Sequence, residues 1–181
     1  MDTLRIKEDF LRDDLYNGLK ELFVGAVTWR AHQEIDTCYL RDLGMFTCFV
    51  QARALYEFFY NEQRAPECGS TASAHHFASS WKPSDERNLY SKYMAKETPA
   101  QKRVFHLVYG RSEFSGGRLE DESVDLKSRV LDFARDVKRL TAQFAESCVD
   151  TMHRGPVESA LNRARCAADE LAKQYNIECP V

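Results

Sequence analysis

The chain has 181 residues, a net charge of −3 and an apolar content of 44%. This length and composition can bury one sizeable core, which predicts a single domain, and the small net charge does not imply strong general attraction to membranes or nucleic acids. No window approaches the roughly 18 apolar residues of a transmembrane helix, and no export signal opens the chain. We therefore expect a cytoplasmic protein without a membrane partner, whose six cysteines, none in a CxxC pair, are reduced thiols.

The first predicted element is a helix that begins after Asp2 or Thr3 and carries apolar residues at helical spacing as far as Val27. Gly18 and Gly25 lie inside this helix, and each glycine costs a helix interior about 1 kcal/mol relative to alanine. Two explanations are open. Either the helix bends at these glycines, or a neighbouring element packs tightly against them.

The second predicted helix contains the most aromatic stretch of the chain, residues 45–61, and ends before Pro66. Arg53 and Glu57 lie one turn apart at the edge of its apolar face, close enough to pair. Phe46 is also expected in the core. Seven side chains share one broad face at helical spacing, which predicts that this face is buried: Met45, Cys48, Phe49, Ala52, Leu55, Tyr56 and Phe59.

Residues 66–86 are rich in Gly, Ser, Thr and Pro and show no sustained hydrophobic period. This composition predicts a long loop inside the domain, with room for one helical turn. Phe77 and Trp81 are the large apolar residues of the segment. We expect both side chains to hold the loop against the core.

The same loop contains two adjacent histidines, His75 and His76, which follow Cys68 and could contribute metal ligands. Zinc needs three or four converging ligands, however, and neighbouring histidines on a loop rarely both point at one ion. The chain also lacks a glycine-rich phosphate loop, an HExxH pair, a GxSxG elbow and a calcium loop. We therefore predict neither a metal nor a cofactor.

Residues 81–111 carry seven basic and three acidic side chains, an excess that would attract a polyanion but is equally typical of an uneven solvated surface. Thr98 and Pro99 predict the start of a short helix, in which we expect Phe105 in the core. His106 follows in this basic segment. Partial burial among positive charges would disfavour its protonated form, which suits a general base acting on a phosphodiester. The alternative is a hydrogen-bonded interhelical histidine, paired for example with Glu57.

Two further helices are predicted at the end of the chain. One runs from about Asp121 to Cys148, and the other, after a break at residues 153–156, runs from Val157 to about Tyr175. Val130, Phe133, Val137 and Phe144 are expected in the core. No segment alternates like a strand. The predicted fold is all-α, an antiparallel bundle of four to five helices, with residues 1–150 as its core and residues 151–181 packing on the bundle or on a partner.

The stretches QARALYEFFY and AQKRVFHLVYGR, separated by a tryptophan-containing loop, resemble motifs of a group of small bacterial helical proteins. Through that group the chain is distantly similar to the HEPN superfamily, which includes metal-independent ribonucleases, toxins of toxin–antitoxin pairs and non-catalytic nucleic-acid-associated modules. HEPN ribonucleases carry an arginine that is followed by four to six residues and then a histidine. Here His106 matches the histidine, but Gln101 stands five residues before it and the nearest arginine, Arg103, stands only three before it.

The resemblance implies two functions of different kinds. The first is a ribonuclease or RNA-binding domain with His106 as base, Arg53 and Arg111 as phosphate clamps, Glu57 orienting one of them and Tyr109 positioning the substrate, at the seam of a homodimer. The second is a non-catalytic interaction module, in which the same polar residues fix the register of the helices and the C-terminal helix binds a protein partner. The displaced arginine favours the second function.

Overall fold

The computed structural model describes residues 7–34, 39–61, 72–83, 89, 129–148 and 151–181. Four long helices make up most of this part of the chain: α1, Leu15–His32; α2, Tyr39–Tyr60; α3, Val130–Ser147; and α4, Thr151–Gln174. A π-helical turn, Phe10–Asp14, leads into α1, and a 3-10 helix, Ala74–His76, lies between α2 and α3 in the sequence. Because the described residues contain no strand, the predicted all-α bundle is confirmed.

The helices form two hairpins that pack side by side. In the α1–α2 hairpin, Gly25 lies against Gly44 whereas the earlier Gly18 lies against the later Leu55, so the two helices are antiparallel. In the α3–α4 hairpin, Arg135 near the start of α3 donates to the carbonyl of Pro180 beyond the end of α4, so these two helices are also antiparallel. α1 packs against α2 and α4, and α3 completes the ring by contacting both α2 and α4.

The contacts between α2 and α3 advance in the same direction along both helices. The Cys48 thiol donates to the Val130 carbonyl at 3.4 Å, and further along both helices the Tyr56 hydroxyl donates to Asp136 at 2.8 Å. These two helices therefore run parallel where the hairpins meet. The parallel arrangement places the aromatic end of α2 beside the middle and end of α3.

Gly25 and Gly44 mark the closest approach of α1 and α2. A Cβ atom on Gly25 would lie 2.8 Å from the Gly44 carbonyl oxygen, and a Cβ atom on Gly44 would lie 2.8 Å from the Gly25 carbonyl oxygen. Real Cβ atoms do not come this close to a backbone oxygen, so both positions need a residue without a side chain. Of the two explanations for glycine inside the first helix, tight packing by a neighbour holds at Gly25.

The buried face of α2 is the one predicted from its spacing. Six of the seven predicted residues are at most 5% exposed, and Met45 is half-buried. The prediction for Phe46 is wrong, because its side chain is 37% exposed. Residues two positions apart, such as Phe46 and Cys48, stand about 200° apart around a helix of 3.6 residues per turn. Phe46 therefore points away from the side of α2 on which Cys48 is buried.

The last helix begins earlier than its sequence predicts. Residues 153–156, expected to break the chain, lie inside α4, and His153 is buried. Pro156 lacks the backbone N–H that would donate to the carbonyl four residues earlier, which costs the helix one hydrogen bond. α4 packs on α1 of the same chain with a row of buried alanines at every fourth position, which allow close approach: Ala160, Ala164, Ala168 and Ala172.

Residues 72–83 form a strap over the aromatic end of the bundle. Trp81 is buried and its indole nitrogen donates to the Phe59 carbonyl at 2.8 Å. Phe77 stacks on Phe10 with 5.6 Å between ring centroids. Ser73 and His76 cap the 3-10 helix reciprocally. The prediction that Phe77 and Trp81 hold this part of the long loop against the core is confirmed.

Candidate functional site

A network of charged and polar side chains links α2 to α3. The Tyr56 hydroxyl donates to Asp136 Oδ2 at 2.8 Å. The guanidinium of Arg139 donates to Asp136 Oδ1 from Nη2 at 2.6 Å and from Nε at 3.2 Å. Its Nη1 donates to Gln143 Oε1 at 3.2 Å. We refer to these residues as the Tyr56–Asp136 network, in which both oxygens of the carboxylate accept hydrogen bonds.

The centre of this network is enclosed by apolar side chains. Tyr56 is fully buried and Asp136 is 6% exposed. A buried carboxylate is tolerated only when it is paired and hydrogen-bonded, and Asp136 meets both conditions. Burial, followed by the charge and hydrogen bond of Asp136, raises the pKa of the Tyr56 phenol well above its ordinary value. The phenol therefore remains a donor at any physiological pH.

Helical spacing on α3 brings the members of the network together. Asp136, Arg139 and Gln143 follow one another at intervals of three and four residues, which places them on adjoining turns of one face. The Phe133 ring, one turn before Asp136, meets Phe49 edge-on at 5.6 Å and Tyr56 at 6.3 Å. Aromatic packing and the network together hold α2 and α3 in a single register.

Arg53 and Glu57 lie on α2 beside the network, at the border of the buried face. Arg53 Nε donates to Glu57 Oε1 at 3.0 Å, and the side chains are 22% and 42% exposed. The predicted pair is thus present. An ion pair in such contact with water contributes about 0–1 kcal/mol to stability. The pair therefore matters for its position, because it brings a guanidinium and a carboxylate to the surface of α2.

The other predicted site residues, His106, Tyr109 and Arg111, lie outside the described residues, as do Arg103 and Phe105. Of the predicted constellation, the structure places Arg53 and Glu57 in contact. The convergence of His106 with Arg53 stays a prediction.

Sequence reasoning missed Asp136 and Arg139, although the sequence holds a signal for them. Asp136 falls among the core positions of α3, between Phe133 and Leu140, where a charged side chain is out of place. An arginine follows at the i+3 position. An acid at a core position with a base one turn away indicates a buried ion pair. The second hydrogen-bond partner of the carboxylate comes from another helix.

No three His, Cys, Asp or Glu side chains come together as metal ligands within the ranges that the structure describes. His76 is instead engaged through Nδ1, which accepts the Ser73 backbone N–H at 3.2 Å. Cys68, the third residue considered for a metal, lies outside those ranges. The four cysteines inside them, Cys48, Cys148, Cys166 and Cys179, form no disulfide.

A separate cleft of about 610 Å³ lies between the end of α1, the start of α3 and the chain after α4. Arg135 lines this cleft and donates from Nε to the Pro180 carbonyl at 2.9 Å. Arg30 contributes a second positive charge, and Glu34 and Glu178 contribute two negative ones. The mixed charges favour neither an anionic nor a cationic ligand.

Comparisons with protein-family models, with curated proteins and with solved structures found no match to this chain. The HEPN resemblance therefore still depends on its two short motifs. In the part of the chain that the structure describes, no helix is both long and apolar enough to cross a bilayer.

We expect the free energy of unfolding to fall as the pH rises above about 10, by up to about 1.4 kcal/mol per pH unit for one tyrosine. Tyr56 in the unfolded chain loses its proton there, whereas burial and Asp136 raise the pKa of the folded phenol and keep it protonated. This stability is fully present below the ordinary tyrosine value and is lost above it. The burial of Cys48, which raises the pKa of its thiol, acts in the same direction.

Urea denaturation of the wild type and of Tyr56→Phe at about pH 8 and about pH 11 tests this expectation. The variant should lose less stability between the two pH values. Tyr39→Phe, at an exposed position, is the control and should lose as much as the wild type. An equal loss in wild type and Tyr56→Phe would contradict the assignment.

Proposed function

We propose that this chain is a non-catalytic helical interaction module, in which the polar residues between α2 and α3 fix the register of the helices. The observation that supports this proposal is the closure of the Tyr56–Asp136 network. A catalytic acid or base must reach the substrate from a groove. Asp136 is buried, and its oxygens already accept from a phenol and a guanidinium, so the strongest cluster of ionisable groups on α2 and α3 serves packing.

The alternative is a HEPN-like, metal-independent ribonuclease that uses His106 with Arg53 and Arg111, with RNA as its partner. Its support is the position of Arg53, whose guanidinium lies at the partly exposed border of α2, where a phosphate could approach it. Glu57 would orient this guanidinium through the hydrogen bond at 3.0 Å, and Tyr109 would position the substrate. In this alternative the Tyr56–Asp136 network takes no part in RNA binding or cleavage.

Incubation of the purified chain with total RNA, with and without a chelator, separates the two functions. If the chain is an interaction module, RNA degradation in its presence should not exceed the degradation in a buffer control. The ribonuclease should cleave RNA in the presence of chelator, and His106→Ala and Arg53→Ala should each abolish that cleavage. Both variants should keep the circular dichroism spectrum and the melting temperature of the wild type, so that a loss of cleavage reports chemistry.

The chain offers a matched control for each variant. Arg154 forms the same i, i+4 pair with Glu158 on the exposed side of α4, with Nε and Oε1 2.7 Å apart, so Arg154→Ala removes an equivalent pair elsewhere. His75→Ala removes a half-buried histidine of the strap. Cleavage that is lost in His106→Ala and Arg53→Ala but kept in both controls would overturn the proposal. Cleavage that survives in His106→Ala would exclude His106 as the catalytic base, even if the cleavage itself came from this chain.

A further inference from the structure

The first half of α2 carries an apolar surface on the side opposite the core. Tyr39 is 77% exposed, Leu40 and Leu43 are each 43% exposed, and Phe46 is 37% exposed. These are four of the five large apolar side chains that are exposed among the described residues, and they fall within eight consecutive positions of one helix. Scattered surface apolar residues need no explanation, but a concentration of this kind marks an interaction surface.

The spacing of these residues is that of a helix–helix seam. Tyr39, Leu43, Phe46 and Val50 follow at intervals of four, three and four residues, which is the repeat of the contact positions in a coiled coil. Leu40 and Thr47 border the seam on one side and carry no charge. We refer to these six residues as the α2 strip. A second helix is the element that such a strip accommodates.

We propose that the α2 strip packs antiparallel against the α2 strip of a second copy of this chain, about a two-fold axis near Gly44 and Met45. The inference rests on the proposed interaction module and names its partner. Most soluble oligomers are symmetric homo-oligomers, and a two-fold interface requires a surface that complements itself. The α2 strip meets this requirement because it is uncharged and apolar along its length. Each apolar side chain of one copy can therefore pack on an apolar side chain of the other.

The charges on α2 disfavour a pairing that is shifted towards the second half of the helix. With the axis near Gly44 and Met45, Tyr39 faces the partner's Val50 and Leu43 faces the partner's Phe46, so all four layers are apolar. Moving the helices by one heptad would place Leu43 against the partner's Arg53 and would bury charge against an apolar side chain. In the favoured register Arg53 lies beyond the first residue of the partner's α2, and its pair with Glu57 stays at the rim.

The length of the strip sets the strength of the contact. From Tyr39 to Val50 α2 rises about 18 Å at about 1.5 Å per residue. A pair of such segments buries less than the roughly 800 Å² per partner of a standard stable interface. We therefore expect a reversible dimer with a dissociation constant in the micromolar range.

Sedimentation equilibrium of the full chain over a range of micromolar concentrations tests the pairing. The wild type should show a monomer–dimer equilibrium. Leu43→Glu and Phe46→Lys should each weaken it roughly tenfold or more, because each variant buries charge in two layers of the dimer. An equimolar mixture of the two variants should restore dimers, since the antiparallel register places the introduced carboxylate opposite the introduced ammonium. A parallel pairing would bring positions 43 and 43 together and would restore nothing.

Met152→Glu is the matched control, because Met152 is similarly exposed but lies on α4. This variant should dimerise like the wild type. All variants change exposed positions, so each should keep the wild-type circular dichroism spectrum. A wild type that stays monomeric at every concentration, or a Leu43→Glu variant that dimerises normally, would overturn the inference. RNA cleavage dependent on His106 would instead overturn the proposed function and leave the dimer standing, so the two failures are distinguishable.

Discussion

Asp136→Ala is expected to lower the free energy of unfolding by about 3–5 kcal/mol, the usual cost of removing one partner of a buried ion pair. The substitution leaves the buried Tyr56 hydroxyl without its acceptor and removes the carboxylate that neutralises Arg139. The partial exposure of Arg139 lets water compensate for some of this loss, so the lower part of the range is expected. Urea denaturation followed by circular dichroism measures the change.

Asp132→Ala is the matched control on the same helix. Asp132 pairs with Arg129 at 3.0 Å across one turn, as Asp136 pairs with Arg139, but both members of the Arg129–Asp132 pair are more than a third exposed. Its removal should cost about 1 kcal/mol or less after screening by solvent. Replacement of both Asp136 and Arg139 by apolar residues of similar size should recover part of the loss, because no charge is then left buried. Equal costs for Asp136→Ala and Asp132→Ala would contradict the structural role of the network.

Gly44→Ala is expected to destabilise the chain by about 1–3 kcal/mol, the usual cost of overpacking. The new Cβ would lie 2.8 Å from the Gly25 carbonyl oxygen, 2.8 Å from the Trp29 nitrogen and 3.1 Å from Thr28 Cβ. Backbone atoms of α1 cannot move aside like the end of a side chain, so α1 and α2 must separate. This cost exceeds the gain of about 1 kcal/mol that alanine brings to a helix interior.

Gly155→Ala provides a control with the opposite expected sign. Gly155 lies in α4, and no atom stands within 4 Å of the position of its Cβ. Alanine there should raise the free energy of unfolding by about 0.4–1 kcal/mol, because it reduces the freedom of the unfolded chain without a clash. Thermal and urea denaturation of both variants would reveal the contrast. A stabilising Gly44→Ala would show that α1 and α2 do not approach as closely as the structure has them.

The helical stretches and the core face of α2 could be predicted from the sequence because helical periodicity is a local property. The face that holds Cys48, Phe49 and Leu55 is buried as its spacing indicates. Phe46 is exposed although it is large and apolar, because burial on a helix depends on the angle of a residue as well as on its hydrophobicity. The break expected at residues 153–156 was wrong for a related reason. Pro156 disfavours a helix locally, but the packing of α4 on α1 outweighs the loss of one hydrogen bond.

The candidate site could be predicted only in part, because spacing within one helix is a local property whereas contacts between helices are not. Arg53 and Glu57 pair within one helix, so their spacing was sufficient. The carboxylate of Asp136 meets Tyr56 across 80 positions of sequence, and no local pattern indicates which helices will be neighbours. A contact of His106 with Arg53 would likewise join distant segments, and it remains a prediction that the RNA experiment addresses.

By itself, the sequence determined that this chain forms amphipathic helices and which side of α2 is buried, because these properties follow from side-chain spacing along a single helix. The tertiary structure alone decided that α2 and α3 run parallel, that Asp136 is satisfied by residues of both helices, and that the α2 strip remains uncovered by the described residues. These outcomes depend on how distant segments share a limited core, and the free energy of that packing belongs to the whole bundle.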